Sequence, residues 1–89
     1  MERELAVGDL VTLRGGEGPG AAGVVGQPIT ERSAGTVLTC RDGHVTGVAA
    51  RLEDVDAADE DGEGFAQLAY ALVKLGSHII ERRLLVYRD

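Results

Sequence analysis

A single cysteine, Cys40, is all the thiol this chain has, so no disulfide can close within it. Soft and imidazole ligands number three, Cys40, His44 and His78, where a closed zinc site takes four. Tryptophan is absent, and the aromatics are Phe65, Tyr70 and Tyr87, so valine, leucine and alanine must build the core. No apolar run approaches the roughly 18 residues of a membrane span, and no charged-then-apolar leader opens the chain. Synthesis in a reducing cytoplasm is the expectation. Basic clusters are missing too, apart from Arg82 and Arg83 with Arg88 nearby. A nucleic-acid binder displaces counterions with a basic face, so no nucleic-acid partner is expected.

What is present points to strands. Thirteen glycines in 89 residues are more than a helical bundle tolerates, because each one inside a helix costs about 1 kcal/mol relative to alanine. The length supports one core, hence one domain with a thin stability margin that association can supplement. The net charge of −6 is unevenly spread. Residues 1–52 carry six acids and five bases, residues 53–63 seven acids and no base, and residues 64–89 two acids and four bases.

Along the chain, Gly8-Asp9 reads as a turn and Leu10 to Arg14 as a first strand. Residues 15–23 read as a glycine-rich loop, Val24-Val25 as a short strand, and Ile29 to Ser33 as extended. The strongest local signal is Asp42-Gly43 between two β-prone runs, Thr36 to Arg41 and His44 to Ala49, which predicts a hairpin with a type I′ turn. Seven carboxylates predict an exposed loop over 53–63. From Phe65 two patterns compete: Phe65, Leu68, Ala69, Leu72 and Val73 fit a helix, while Ala66, Leu68, Tyr70 and Leu72 fit a strand. Ser77 can cap a short helix running to Arg83, and residues 84–87 read as a last strand.

No motif carries chemistry. Gly18 to Gly23 matches G-x-G-x-x-G, with Asp42 about 20 residues on, but Val24 to Pro28 follows where a dinucleotide site needs a helix N-terminus, so no cofactor is expected. Asp54, Asp56, Asp59, Asp61 and Glu63 fail the calcium-loop spacing, with Asp59 at the glycine position and Phe65 at the terminal glutamate position, so no metal is expected. Nucleophilic catalysis by Cys40, Ser33 or Ser77 needs a converging base, an orienting acid and a pocket, and the small aliphatic core leaves little room for one. The expectation is therefore no enzyme and no catalytic residues.

Gln27-Pro28-Ile29, Arg32, Gly35-Thr36-Val37-Leu38, Asp42-Gly43, Gly47-Val48-Ala49, Asp54-Val55-Asp56-Ala57 and Gly76 follow one another in an order that resembles the head decoration proteins of tailed bacteriophages. The likeness runs over residues 26–87. It departs at Thr39-Cys40, where the family often has glycine, and in the glycine-rich lead of residues 1–23. The resemblance implies a mainly β domain, a small compact β-barrel or β-tulip, here with one short helix near the C-terminus. It implies a virion structural protein that clamps the outer face of a capsid, with the major capsid protein as partner, a homo-oligomer, trimer favoured, and no membrane. On that reading residues 1–25 form an arm or first strand with the glycine loop, and 26–89 the decoration-like core. The arm would offer Glu4, Leu5, Val7, Leu10, Val11 and Leu13 to the capsid by strand addition. Arg82, Arg83 and Tyr87 are the candidate oligomer or capsid interface.

The alternative is an SH3-like β-barrel serving as an adaptor or regulatory module. Its support is Val7 to Leu13 ahead of a glycine loop and Gly23-Val24-Val25, an opening typical of such barrels.

Overall fold

The structure is a computed structural model and describes residues 3–14, 21–58 and 63–86. Its elements, in chain order, are β1 (Glu4–Leu5), β2 (Leu10–Leu13), β3 (Ala21–Gln27), β4 (Ile29–Thr30), β5 (Gly35–Arg41), β6 (His44–Ala50), a 3₁₀ turn (Leu52–Asp54), β7 (Val55–Ala57), α1 (Glu63–Lys74), β8 (Ser77–Ile80) and β9 (Arg83–Val86). The chain is thus mainly β with one helix near the C-terminus.

Five strands form one antiparallel ladder in the order β6-β5-β3-β2-β7, while β1 pairs β4 and β8 pairs β9 in separate ribbons. Among the described residues the ladder runs from β6 to β7 without a closing pair between those two strands.

Successive strand residues point to opposite faces, so consecutive valines and leucines give this sheet two apolar sides. One side buries Val11, Val25, Ile29, Val37, Ala50 and Val55 under Leu5, Leu13 and Leu52. The other buries Leu10 and Val24 against Phe65, Leu68 and Leu72 of α1, with Ile79 and Leu84 of the β8–β9 ribbon completing the cover. Helical spacing therefore prevails over strand alternation from Phe65. Its inward stripe is Phe65, Leu68, Ala71 and Leu72, whereas Val73, counted with the stripe in sequence, is exposed. Gly76, at φ +83°, closes the helix, its N–H donating to the Val73 carbonyl at 3.0 Å.

The predicted hairpin forms as read, with Asp42 at φ 53° and Gly43 at φ 78°, both in the left-handed region a type I′ turn demands. Other expectations are corrected. Residues 77–83 are not a helix: Ser77–Ile80 is a strand that Glu81 and Arg82, at φ 48° and 62°, turn back into β9. Pairing Ile79 with Leu84 puts two aliphatic side chains over the α1 cluster, and that burial outweighs the capping preference of Ser77. The glycine-rich segment gives way to strand already at Ala21, opposite Leu13, because small residues let β3 lie along β2. Within the acidic stretch, Val55–Ala57 is a strand paired to β2, since Val55 gains burial while Asp56 stays at the surface. Asp59 lies outside the described residues.

Of the two readings of residues 1–25, arm or first strand, a strand forms over Leu10–Leu13. β2 pairs β3 on one side and β7 on the other, so it has no unpaired edge to offer a capsid. Leu10 and Val11 are buried, Leu13 is half-buried beneath the sheet, and Glu4 and Leu5 pair with Thr30 and Ile29. Val7 lies in the turn before β2. Detaching such a segment would open both sides of the core.

That turn pins the two halves together. The Gly8 N–H donates to the Val25 carbonyl at 2.7 Å, the Val25 N–H to the Asp9 carbonyl at 2.9 Å, and an Asp9 carboxylate oxygen accepts from the Ala6 N–H at 2.8 Å. Gly8 sits at φ +93°, and a methyl group on it would overlap the Arg83 Cα and the Arg82 carbonyl. The β8–β9 turn thus rests directly on glycine backbone. Gly8→Ala is expected to destabilise the fold by about 3 kcal/mol or more, combining left-handed strain with overlap, whereas Gly43→Ala, in open space at φ +78°, costs about 1 kcal/mol. Urea unfolding of both variants checks this; equal costs would mean that the turn does not press on Gly8.

Candidate functional site

The residues that the sequence offered for chemistry are kept apart by the register. Cys40 stands opposite Val45 and His44 opposite Arg41, so Cys40 and His44 point to opposite faces of the hairpin. Cys40 packs half-buried against the α1 cluster, and His78 is on β8 opposite Leu85. Gly23 lies buried inside β3, with strand rather than helix after it.

Two acids of the stretch whose spacing fails a calcium loop serve the fold. An Asp54 carboxylate oxygen accepts from the Arg51 N–H at 2.8 Å and caps the 3₁₀ turn. Asp56, on β7, takes a bidentate pair from Arg14, with the Arg14 Nε–H donating to Asp56 Oδ2 at 2.7 Å and Nη2 reaching Oδ1. The hydrogen bond from Arg14 holds the Asp56 carboxyl below its ordinary value, and the same bond raises the Arg14 guanidinium. Asp61 lies outside the described residues, as does Tyr87 of the candidate interface.

Arg82 and Arg83 are both exposed on the β8–β9 unit, Arg82 in its turn and Arg83 at the start of β9. Ile80 stands opposite Arg83, and Leu85 opposite His78, so these four share the outer face of the ribbon while Ile79 and Leu84 face the core. Ile80 and Leu85 are each 44% exposed. At the other end of the ribbon Val86 is opposite Ser77, two residues beyond Leu75, and these two side chains are 67% and 66% exposed. Val73, 51% exposed, lies on the last turn of α1, where Lys74 extends its ammonium over the Tyr70 ring at 4.8 Å from the centroid.

Between α1 and this ribbon runs an open depression of about 340 Å³, floored by Leu10, Phe65 and Ile79, flanked by Ala66 and Ala69, with Glu81 and Arg82 at its mouth. A second depression, about 390 Å³, separates the Asp42-Gly43 turn from Gln67, Tyr70 and Lys74. A third, about 80 Å³, lies between Thr30 to Ser33 and Arg51 to Glu53 and has no aromatic in its lining.

Sequence reading found the two arginines and missed the exposed aliphatic residues of the same C-terminal unit. Leu84 to Val86 carried the signal as a terminal strand, but which of its residues face outward depends on pairing with β8. Among the described residues no helix is long and apolar enough to cross a membrane. Comparison with protein-family models, with curated proteins and with solved structures yields no match to this chain.

The Arg14–Asp56 pair generates a pH test. Because the folded-state value of Asp56 is depressed, its contribution is complete above the unfolded carboxyl value, about 4, and is lost as pH falls through the lower folded value. Both groups are solvent-exposed, so the effect is small. Asp56→Asn is expected to melt slightly below wild type at pH 7, with the gap closing in acid. Thermal melts between neutral pH and about pH 2 measure it; a gap that persists unchanged in acid would remove the pair as its cause.

Proposed function

We propose that this protein is a non-enzymatic binding module, an SH3-like β domain that captures a protein partner through the exposed face of its C-terminal helix and β-ribbon. The observation that carries the reading is the exposure of Ile80 and Leu85 on the outer face of the ribbon and of Val73 and Leu75 at the end of α1. Large apolar side chains concentrated on a surface and edged by cations mark interaction sites, and arginine and aliphatic contact suit an interface better than solvent. Lys74 and Arg83 at the edge favour a partner with aliphatic side chains flanked by carboxylates.

The strand order supports the SH3-like part of the reading. A long connection between β2 and β3, a tight β5–β6 hairpin, and a 3₁₀ turn leading into a β7 that returns to pair β2 follow one another as in such barrels. Recognition of a proline-rich peptide is disfavoured, because that mode docks on an aromatic-lined groove and the depression between Thr30 to Ser33 and the 3₁₀ turn has none. The C-terminal face takes over as the contact surface.

Capsid decoration is the second reading, supported by the motif order from Gln27 to Gly76 and by the same docking face. On it the partner is a major capsid protein, the protein is a virion component, and an oligomer covers the shell.

Leu85→Asp places a charge in the centre of the face without entering the core. It is expected to weaken partner capture by about 2 kcal/mol or more, the scale of a buried interface anchor, with an unchanged thermal midpoint. Affinity capture from an extract of the producing cell, compared between wild type and Leu85→Asp, reads this out. Partners retained equally by both would sink the proposed face. Co-sedimentation with purified expanded shells, set beside it, separates the two readings.

A further inference from the structure

The edge strand β6 is built without the protections that sheet edges ordinarily carry. Unpaired edges are blunted by charge, proline, bulges or shortness, because their free N–H and C=O groups template pairing with another chain. Over seven residues, His44–Ala50, β6 has no proline, no acid and no lysine or arginine. Its register with β5 is unbroken from Ala50 opposite Gly35 to His44 opposite Arg41, so the strand has no bulge, while the β3–β5 ladder shifts between Val25 and Gln27. Thr46, Gly47, Val48 and Ala49 are all exposed. The opposite edge is guarded: β7 has three residues and carries Asp56 in its ion pair with Arg14.

We propose that β6 is a strand-addition site whose occupant is the β6 of a second copy, giving a twofold dimer in which the two five-stranded sheets run on as one. The sequence suits itself. An antiparallel register centred on Gly47 sets Val48 opposite Thr46 and Ala49 opposite Val45 of the other copy, with glycine facing glycine at the axis. Paired β-branched residues are the favourable kind of cross-strand neighbour. Charge points the same way. A chain of net charge −6 repels its copies, and β6 offers a seven-residue edge free of carboxylates. The same register brings Arg51, just beyond β6, opposite Gly43 of the other copy and beside its Asp42, twice by symmetry; both residues are exposed. This surface is separate from the C-terminal face, so the dimer and the proposed partner capture stand or fall independently.

Sedimentation of the full chain over a concentration series is the test, with circular dichroism to confirm that each variant is folded. Wild type is expected to show a monomer–dimer equilibrium, and Val48→Lys to weaken it at least about tenfold by charging the edge. Asp42→Arg and Arg51→Asp are each expected to weaken it, and the double exchange to restore it, a readout that stands even if Val48→Lys disturbs folding. Leu85→Asp is expected to dimerise as wild type does. A wild-type monomer up to about 1 mM, a dimer indifferent to Val48→Lys, no rescue by the double exchange, or loss of the dimer in Leu85→Asp would each overturn the proposal.

Discussion

The whole molecule is assembled on the four residues of β2, which must satisfy two cores and two neighbours at once. Leu10 points under the helix and Val11 into the opposite side of the sheet, while the backbone bonds β3 and β7 on either side. A strand buried on both faces and paired on both edges has no freedom left. The turn before it inherits that rigidity, so Gly8 becomes a fixed platform on which the β8–β9 turn rests.

From this constraint follows which parts of the chain are committed to the core. The N-terminal segment, read in sequence as an arm or a first strand, is paired into the sheet. Among the described residues, the outer side of the β8–β9 ribbon with the end of α1, and the β6 edge, stay exposed. The first is apolar with basic residues, and the second holds no acid, lysine or arginine. Both are suited to contact with another chain. The side chains with chemical potential are dispersed: Cys40 faces the helix, His44 the opposite side, and Asp54 and Asp56 hold a turn and an arginine.

How much could be read in advance depended on whether the signal was local. The Asp42-Gly43 hairpin was legible because its turn imposes positive φ on two adjacent residues and its strands flank it directly. Leu10 to Leu13 was legible as a strand for the same kind of reason. Phe65 to Lys74 stayed ambiguous because Leu68 and Leu72 satisfy both periods, and the choice fell to Phe65 and Ala71 finding a sheet face to cover. Val55 was hidden among carboxylates, since one buried position in three carries little pattern. Arg82 and Arg83 were picked out by charge, but the exposed aliphatic residues of the same C-terminal unit were not.

By itself the amino-acid order determined a mainly β domain with an aliphatic core, the position of its tightest hairpin, and an acidic stretch set between two less charged regions. Glycine count, scarcity of aromatics and turn chemistry are properties of short windows, and they act before any distant segment arrives. Only the tertiary structure decided that β2 is a central strand, that the C-terminal residues form a helix and a ribbon, and which aliphatic side chains remain outside. Those outcomes depend on burial shared between residues about 40 to 75 positions apart, and such free energy exists only once the sheet has formed.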